Sequence, residues 1–178
     1  MRRIVSILGS TLFLVVAPGT VGGLIPWWIS GWRAREPFLG SWAFPVIGAV
    51  LVIAGVPVLL DSFARFAWQG LGTPAPVFPT RHLVVSGLYR HVRNPMYAAV
   101  VSVILGQGLW FGSVGLLEYG LAVWLVFHLF VLAYEEPKLR ETFGTEYGEF
   151  CAQVPRWIPR LRPWRAPTVS EPPRIPRR

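Results

Sequence analysis

The residues most suited to chemistry lie in the stretch Gly87-Leu-Tyr-Arg-His-Val-Arg-Asn-Pro-Met-Tyr97, which is answered later in the chain by Glu135-Glu136. Asn94 followed by Pro95 reads as the start of a helix. The Asn side chain can accept an orphan first-turn amide, and Pro at the first helical position has no amide to lose. Helix starts bind anions. A helix start alone does not require Tyr89, Arg90, His91, Arg93 and Tyr97 around it; together they supply aromatic faces, donors and positive charge within two turns. A carboxylate pair facing such a site suits a zwitterionic ligand, one with both a carboxylate and an ammonium group. Glu135 and Glu136 are expected to end an apolar segment, where acidic residues oppose the helix dipole unless a cation or donor compensates. If Pro137 opens a further helix, they sit near its favourable N-terminus instead.

The elements that must hold these residues are apolar. Of the 178 residues 53% are hydrophobic and only 15% charged, with a mean hydropathy of +0.47, a composition of membrane proteins rather than soluble globules. Four segments have lengths near the roughly 20 residues a spanning helix needs: Ile4 to Ile29, Trp42 to Phe66, the shorter Pro95 to Phe111, and Val114 to Tyr134. The first resembles a signal peptide after Met1-Arg2-Arg3 but stays apolar past Pro18 and Gly22-Gly23 to Trp27-Trp28, so a kinked span is expected. From Pro137 to Val154, Leu139, Phe143, Tyr147 and Cys151 recur every four positions, an amphipathic helix weakened by Gly144 and Gly148.

The expected fold is therefore an all-α integral membrane protein of about four transmembrane helices with a cytoplasmic amphipathic C-terminal helix. It divides into a two-span scaffold (1–66), a Gly/Pro-rich cytoplasmic loop (67–94), a two-span hairpin with the amphipathic helix (95–162), and a basic tail without periodicity, read as disordered (163–178). Of the 17 Lys and Arg residues, Arg33 and Arg35 alone fall on one side of the predicted spans. The positive-inside rule then puts both termini and the polar site in the cytoplasm.

The net charge of +8 needs no nucleic acid, because the basic residues flank spans where topology and anionic headgroups explain them. A lone cysteine, Cys151, excludes an internal disulfide, and three scattered histidines make no metal set. Asp61 in the second segment is expected to pair with Arg65 at i+4, and His128 to be a hydrogen-bonded interior residue. The Trp residues near span ends, Trp27, Trp28, Trp32, Trp42, Trp68 and Trp110, read as an interfacial belt.

The motifs Leu83 to Tyr89, Arg93 to Tyr97, Glu135 to Leu139, Phe143 to Tyr147 and Val154-Pro155 resemble, in order, those of the membrane methyltransferases of the isoprenylcysteine carboxyl methyltransferase and phospholipid methyltransferase superfamily. The resemblance covers about the C-terminal half. It implies S-adenosylmethionine as cofactor, held by Arg81, His82, Leu83, Val84, Tyr89, Asn94, Pro95, Met96 and Tyr97 with Glu136 at the ammonium. It also implies a catalytic role for Glu135, beside the methyl acceptor, and for Arg93. Two positions depart from the pattern: Asn94 stands where a histidine is usual, and Val131 where the carboxyl methyltransferases carry a substrate-side arginine. A carboxylate acceptor would lose its charge partner there, so the expected acceptor is a lipid-like or hydrophobic small molecule of unspecified type. Two other readings of the residues remain open: an NADPH-dependent membrane reductase of the sterol-reductase type, and a non-enzymatic membrane subunit.

Overall fold

The computed structural model describes residues 12–68, 83 and 85–165. It is all-helical among those residues: α1 (Leu12–Ser30), α2 (Ala43–Trp68), α3 (Pro95–Trp110), α4 (Val114–Phe130) and α5 (Glu136–Gln153). Three helical stretches are long and apolar enough to cross a membrane, Leu12–Ser30, Ala43–Arg65 and Val114–Gln153. The exposed apolar side chains of α2 (Val46, Ile53, Leu60) and α4 (Leu121, Leu125, Leu129) are what a lipid-facing surface requires, since contiguous patches of this kind are rare on soluble monomers.

The shorter α3, 16 residues or about 24 Å, is shielded between α2 and α4. Ala99, Val100, Val101, Ile104, Gly106 and Gly108 along it are buried. Its pairing with α2 depends on paired glycines: a Cβ on Gly48 would lie 2.5 Å from the Gly106 carbonyl oxygen, and one on Gly106 would lie 2.7 Å from that of Gly48. Only backbones without side chains approach this closely, the packing mode of small residues in membranes.

Among the described residues, two π-helical turns interrupt the spans. The first, Thr20–Leu24 in α1, contains Gly22-Gly23, which puts the expected irregularity of the first span in that turn. The carbonyls it exposes are captured from neighbouring helices: Gln107 Nε2 donates to Gly22 O at 2.8 Å and the Tyr119 hydroxyl to Val21 O at 3.0 Å. Inside hydrocarbon an unmet carbonyl costs several kcal/mol, so a π turn there needs such partners. The Gln107 side chain also accepts from Trp32 Nε1 at 3.0 Å.

The second π turn, Val131–Glu135, joins α4 to α5 without a break, with helical backbone angles at Phe130, Glu135 and Glu136. The expectation that Glu135-Glu136 terminate a helix is thus corrected. The helical stretch covers 40 residues with a kink at Gly144, and the part before the kink alone, about 45 Å, exceeds the hydrocarbon thickness. We take Val114 to Tyr134 as its spanning part, with Glu135 onward outside. The dipole penalty expected at a helix end does not arise. Within α5, Gly144 adopts φ +53° and ψ −123°, breaking the helix geometry.

Beyond α5, residues 154–164 form an extended strap that returns across the segment preceding α3. The Arg93 amide donates to Pro155 O, the Arg160 amide to His91 O and the Trp164 amide to Arg90 O, each at 2.9 Å. Arg90 Nε donates back to Trp164 O at 2.7 Å. The start of the expected disordered tail is therefore held in place as far as it is described; 166–178 lie outside the described residues.

Candidate active site

The face of α5 that the apolar periodicity picks out packs inward. Tyr147, Phe150 and Val154 are buried and are covered by Leu83, Val85, Leu139, Phe143, Cys151 and Trp164. This small core holds the later turns of α5 against the segment leading into α3, the same segment that supplies Arg93 to Glu136.

Glu136 is the hub. Its Oε1 accepts from Arg93 Nη1 at 3.0 Å and from Arg156 Nε at 2.7 Å, while Oε2 accepts from Arg156 Nη2 at 3.0 Å. The Arg156 pairing is a bidentate fork, the strongest carboxylate–guanidinium geometry. The Arg93 and Glu136 side chains are only 11% and 8% exposed. Burial by itself would raise the Glu136 carboxyl, but the Arg156 hydrogen bond and the charges of Arg93 and Arg156 outweigh it and hold the group below the usual carboxylate range. Arg93 Nη1 also reaches Cys151 Sγ at 2.9 Å.

Next to this triad, Glu135 lies within hydrogen-bonding reach of the Tyr97 hydroxyl, and the Tyr97 ring packs on Phe127 at 4.7 Å. Among the described residues two buried side-chain atoms lack a partner, Arg93 Nε and Glu135 Oε2. One is a cationic donor and the other a carboxylate acceptor. Buried polar atoms of folded proteins are otherwise nearly always paired.

The Asn94 expectation needs correction. No side-chain cap closes the start of α3; Asn94 Nδ2 instead donates to the Arg156 carbonyl at 3.2 Å. Asn94 thus pins the strap, and its side chain accepts from no first-turn amide of α3. Pro95 is fully buried and Met96 half-buried behind it. Tyr89 sits in the turn Gly87–Arg90, its hydroxyl within reach of Ser62 and its electrostatic surroundings including Glu135, Asp61 and Arg65. Gly87 carries φ +56°, and any Cβ there would collide with the Arg65 guanidinium. Leu83 belongs to the small core rather than to the polar cluster. Arg81, His82 and Val84 lie outside the described residues.

Other polar residues are structural. Arg65 forks onto Asp61 at 2.7 and 2.9 Å, the expected i,i+4 pair. His128 Nδ1 accepts from Trp157 Nε1 at 3.0 Å, which places its proton on Nε2. His91 Nδ1 lies 2.8 Å from the Arg160 carbonyl and must carry the proton that bonds it. Sequence reasoning missed Arg156. Its signal was indirect: a buried Glu136 needed a cation, and Arg156 directly follows Val154-Pro155.

The family described as phospholipid methyltransferase matches residues 44–146, more than half of the 178-residue chain. The chain belongs to that family. The matched stretch runs from α2 into α5, includes Arg93, Asn94, Tyr97, Glu135 and Glu136, and stops short of the strap. No curated protein gives a significant match. Family membership makes the chain a membrane methyltransferase, and the polar cluster lies at one end of its spanning helices.

Proposed function

We propose that the protein is an S-adenosylmethionine-dependent methyltransferase that modifies a lipid-like acceptor at the membrane surface. The observation that carries this reading is the pair of partnerless buried atoms, Arg93 Nε and Glu135 Oε2. A donor on a cation and an acceptor on a carboxylate, held in one cluster, fit a ligand with separated negative and positive ends. S-adenosylmethionine, when bound, supplies a methyl group activated on a sulfonium.

The charges support the fit. Arg93, Arg156 and Glu136 together carry one net positive charge, which suits a carboxylate, and the uncapped amides at the start of α3 add donors of the same kind. Glu136 has both oxygens engaged by arginines. Its role in this reading is therefore to orient Arg93, where sequence resemblance gave it the ammonium. Glu135 takes the positive end. Tyr97, itself packed on Phe127, orients Glu135, a setting suited to a hydrophobic acceptor. When that acceptor is an amine, Glu135 Oε2 accepts the proton released as nitrogen gains the methyl. A thiolate or carboxylate acceptor needs no base. Fixing the groups in a site closed by the strap lowers the barrier by positioning and exclusion of water.

The preponderance of basic residues at this end supports a cytoplasmic site, where a water-soluble cofactor is available. Calorimetric titration of the purified full chain in detergent tests the reading. S-adenosylmethionine should bind, and Arg93→Ala should weaken binding at least about tenfold, about 1.4 kcal/mol. A labelled methyl donor should deliver label to the organic phase of a lipid extract. Absence of binding by the parent, or equal binding by Arg93→Ala, overturns the reading.

A further inference from the structure

The strap is basic and carries exposed apolar groups, and only part of this is used in its contacts with the protein: Arg156 pairs with Glu136 and Arg160 Nη1 donates to the Gln153 carbonyl. Arg156, Arg160, Arg162 and Arg165 all fall between residues 156 and 165, with no acidic residue among them. Between these arginines stand apolar side chains aimed away from the protein: Ile158 is 78% exposed and Leu161 97% exposed. Arg162 and Arg165 are exposed as well. Full exposure of two large aliphatic groups in a segment whose backbone is pinned at Arg93, His91 and Arg90 calls for a covering partner.

The location of the strap indicates which partner. Trp157 packs on Trp124 and His128 of α4, with ring centroids 6.4 and 6.0 Å apart, and Pro159 adjoins Ala54 and Val58 of α2 and Ala98 of α3 at the margin of an apolar cleft. The strap therefore lies beside the start of α3 and along the flanks of α2 and α4, next to helices that present apolar surface to lipid. Alternating arginines and aliphatic groups beside spanning helices match a bilayer boundary, with chains below and headgroups above. Three positive charges, those of Arg160, Arg162 and Arg165, select anionic headgroups, each cation near such a surface contributing about 1 kcal/mol.

We propose that the strap docks on the leaflet at this end of the protein, burying Ile158 and Leu161 among acyl chains while Arg160, Arg162 and Arg165 engage anionic lipid headgroups. Arg156 points the other way, into Glu136, so the same segment that rests on the lipid also closes the candidate site. The docking itself is independent of the cofactor assignment.

The test uses the full chain with Leu161→Cys in a Cys151→Ser background, labelled with a small fluorophore and reconstituted in two bilayers, phosphatidylcholine alone and phosphatidylcholine mixed with phosphatidylglycerol. Quenching by nitroxide-bearing lipid should be several-fold stronger in the anionic bilayer. It should fall to the neutral-bilayer level when Arg162→Gln and Arg165→Gln are added; both are exposed positions whose replacement leaves the Glu136 cluster intact. Iodide in the water phase should quench least where the lipid nitroxide quenches most. Equal lipid quenching in both bilayers overturns the proposal, as does a label quenched by iodide alone. A label shielded from both quenchers means that a second protein chain covers the strap, and overturns it too.

Discussion

The two π turns of this protein differ in what surrounds them. In the turn at Thr20–Leu24, exposed carbonyls at Val21 and Gly22 meet dedicated donors from Tyr119 and Gln107. The turn at Val131–Glu135 leads into a cluster where Arg93 Nε and Glu135 Oε2 remain without partners. The same helical irregularity is thus a solved packing problem at one place and a source of unmatched polarity at the other. Irregular turns of this type gather at functional sites, but the turn itself does not mark function. What separates the two is whether neighbouring side chains complete the hydrogen bonding.

The largest separation between the regions should come from Glu136→Ala. It leaves the buried Arg93 guanidinium and the part-exposed Arg156 guanidinium without their carboxylate, and loss of one partner of a buried pair such as Arg93–Glu136 costs about 3–5 kcal/mol. Thermal unfolding in detergent should drop accordingly and methyl transfer should vanish. Wild-type stability in this variant would mean that the triad is not the anchor described here. Gln107→Leu probes the other turn. It frees the Gly22 carbonyl and Trp32 Nε1, yet interhelical hydrogen bonds in membranes average only about 0.6 kcal/mol. A small fall in unfolding temperature with unchanged cofactor affinity is expected; a large loss of affinity would show the two regions to be coupled.

The smallest effect is that of pH. A carboxyl held below its usual range in the folded protein stabilises fully above the ordinary glutamate value of about 4.3, and this contribution is lost as pH falls through the depressed value. Acidification below the usual carboxylate range should therefore loosen the Glu136 cluster, read as a falling unfolding temperature. Glu136→Gln should flatten that part of the profile, whereas Gln107→Leu should leave it as in the parent. An unchanged profile in Glu136→Gln would assign the dependence to another group.

Much of this arrangement was legible in the chain because apolar length and four-residue periodicity are local signals. The segments Trp42 to Phe66 and Val114 to Tyr134, the Asp61–Arg65 pair and the inward face at Tyr147 all follow from such spacing. What escaped depends on contacts distant in sequence. Asn94 has the right chemistry for capping α3, but the strap offers its Arg156 carbonyl as a competing partner, and no local rule foresees that. The continuity of α4 into α5 was hidden for a related reason: Glu-Glu-Pro resembles a boundary, yet proline is tolerated in the first turn after a π turn. Arg156 lies in a stretch without periodicity, so only the need of Glu136 for positive charge pointed to it.

The glycine contact between α2 and α3 has a mechanical consequence. Two backbones touching at Gly48 and Gly106 have no side chains between them that could change rotamer and let the helices slide. This pair behaves as a fixed post. Sliding of α3 along α2 is therefore resisted at this point, whereas α3 meets α4 through side chains, Leu117 over Gly108 and Leu105 over Gly120, which can adjust by changing rotamer.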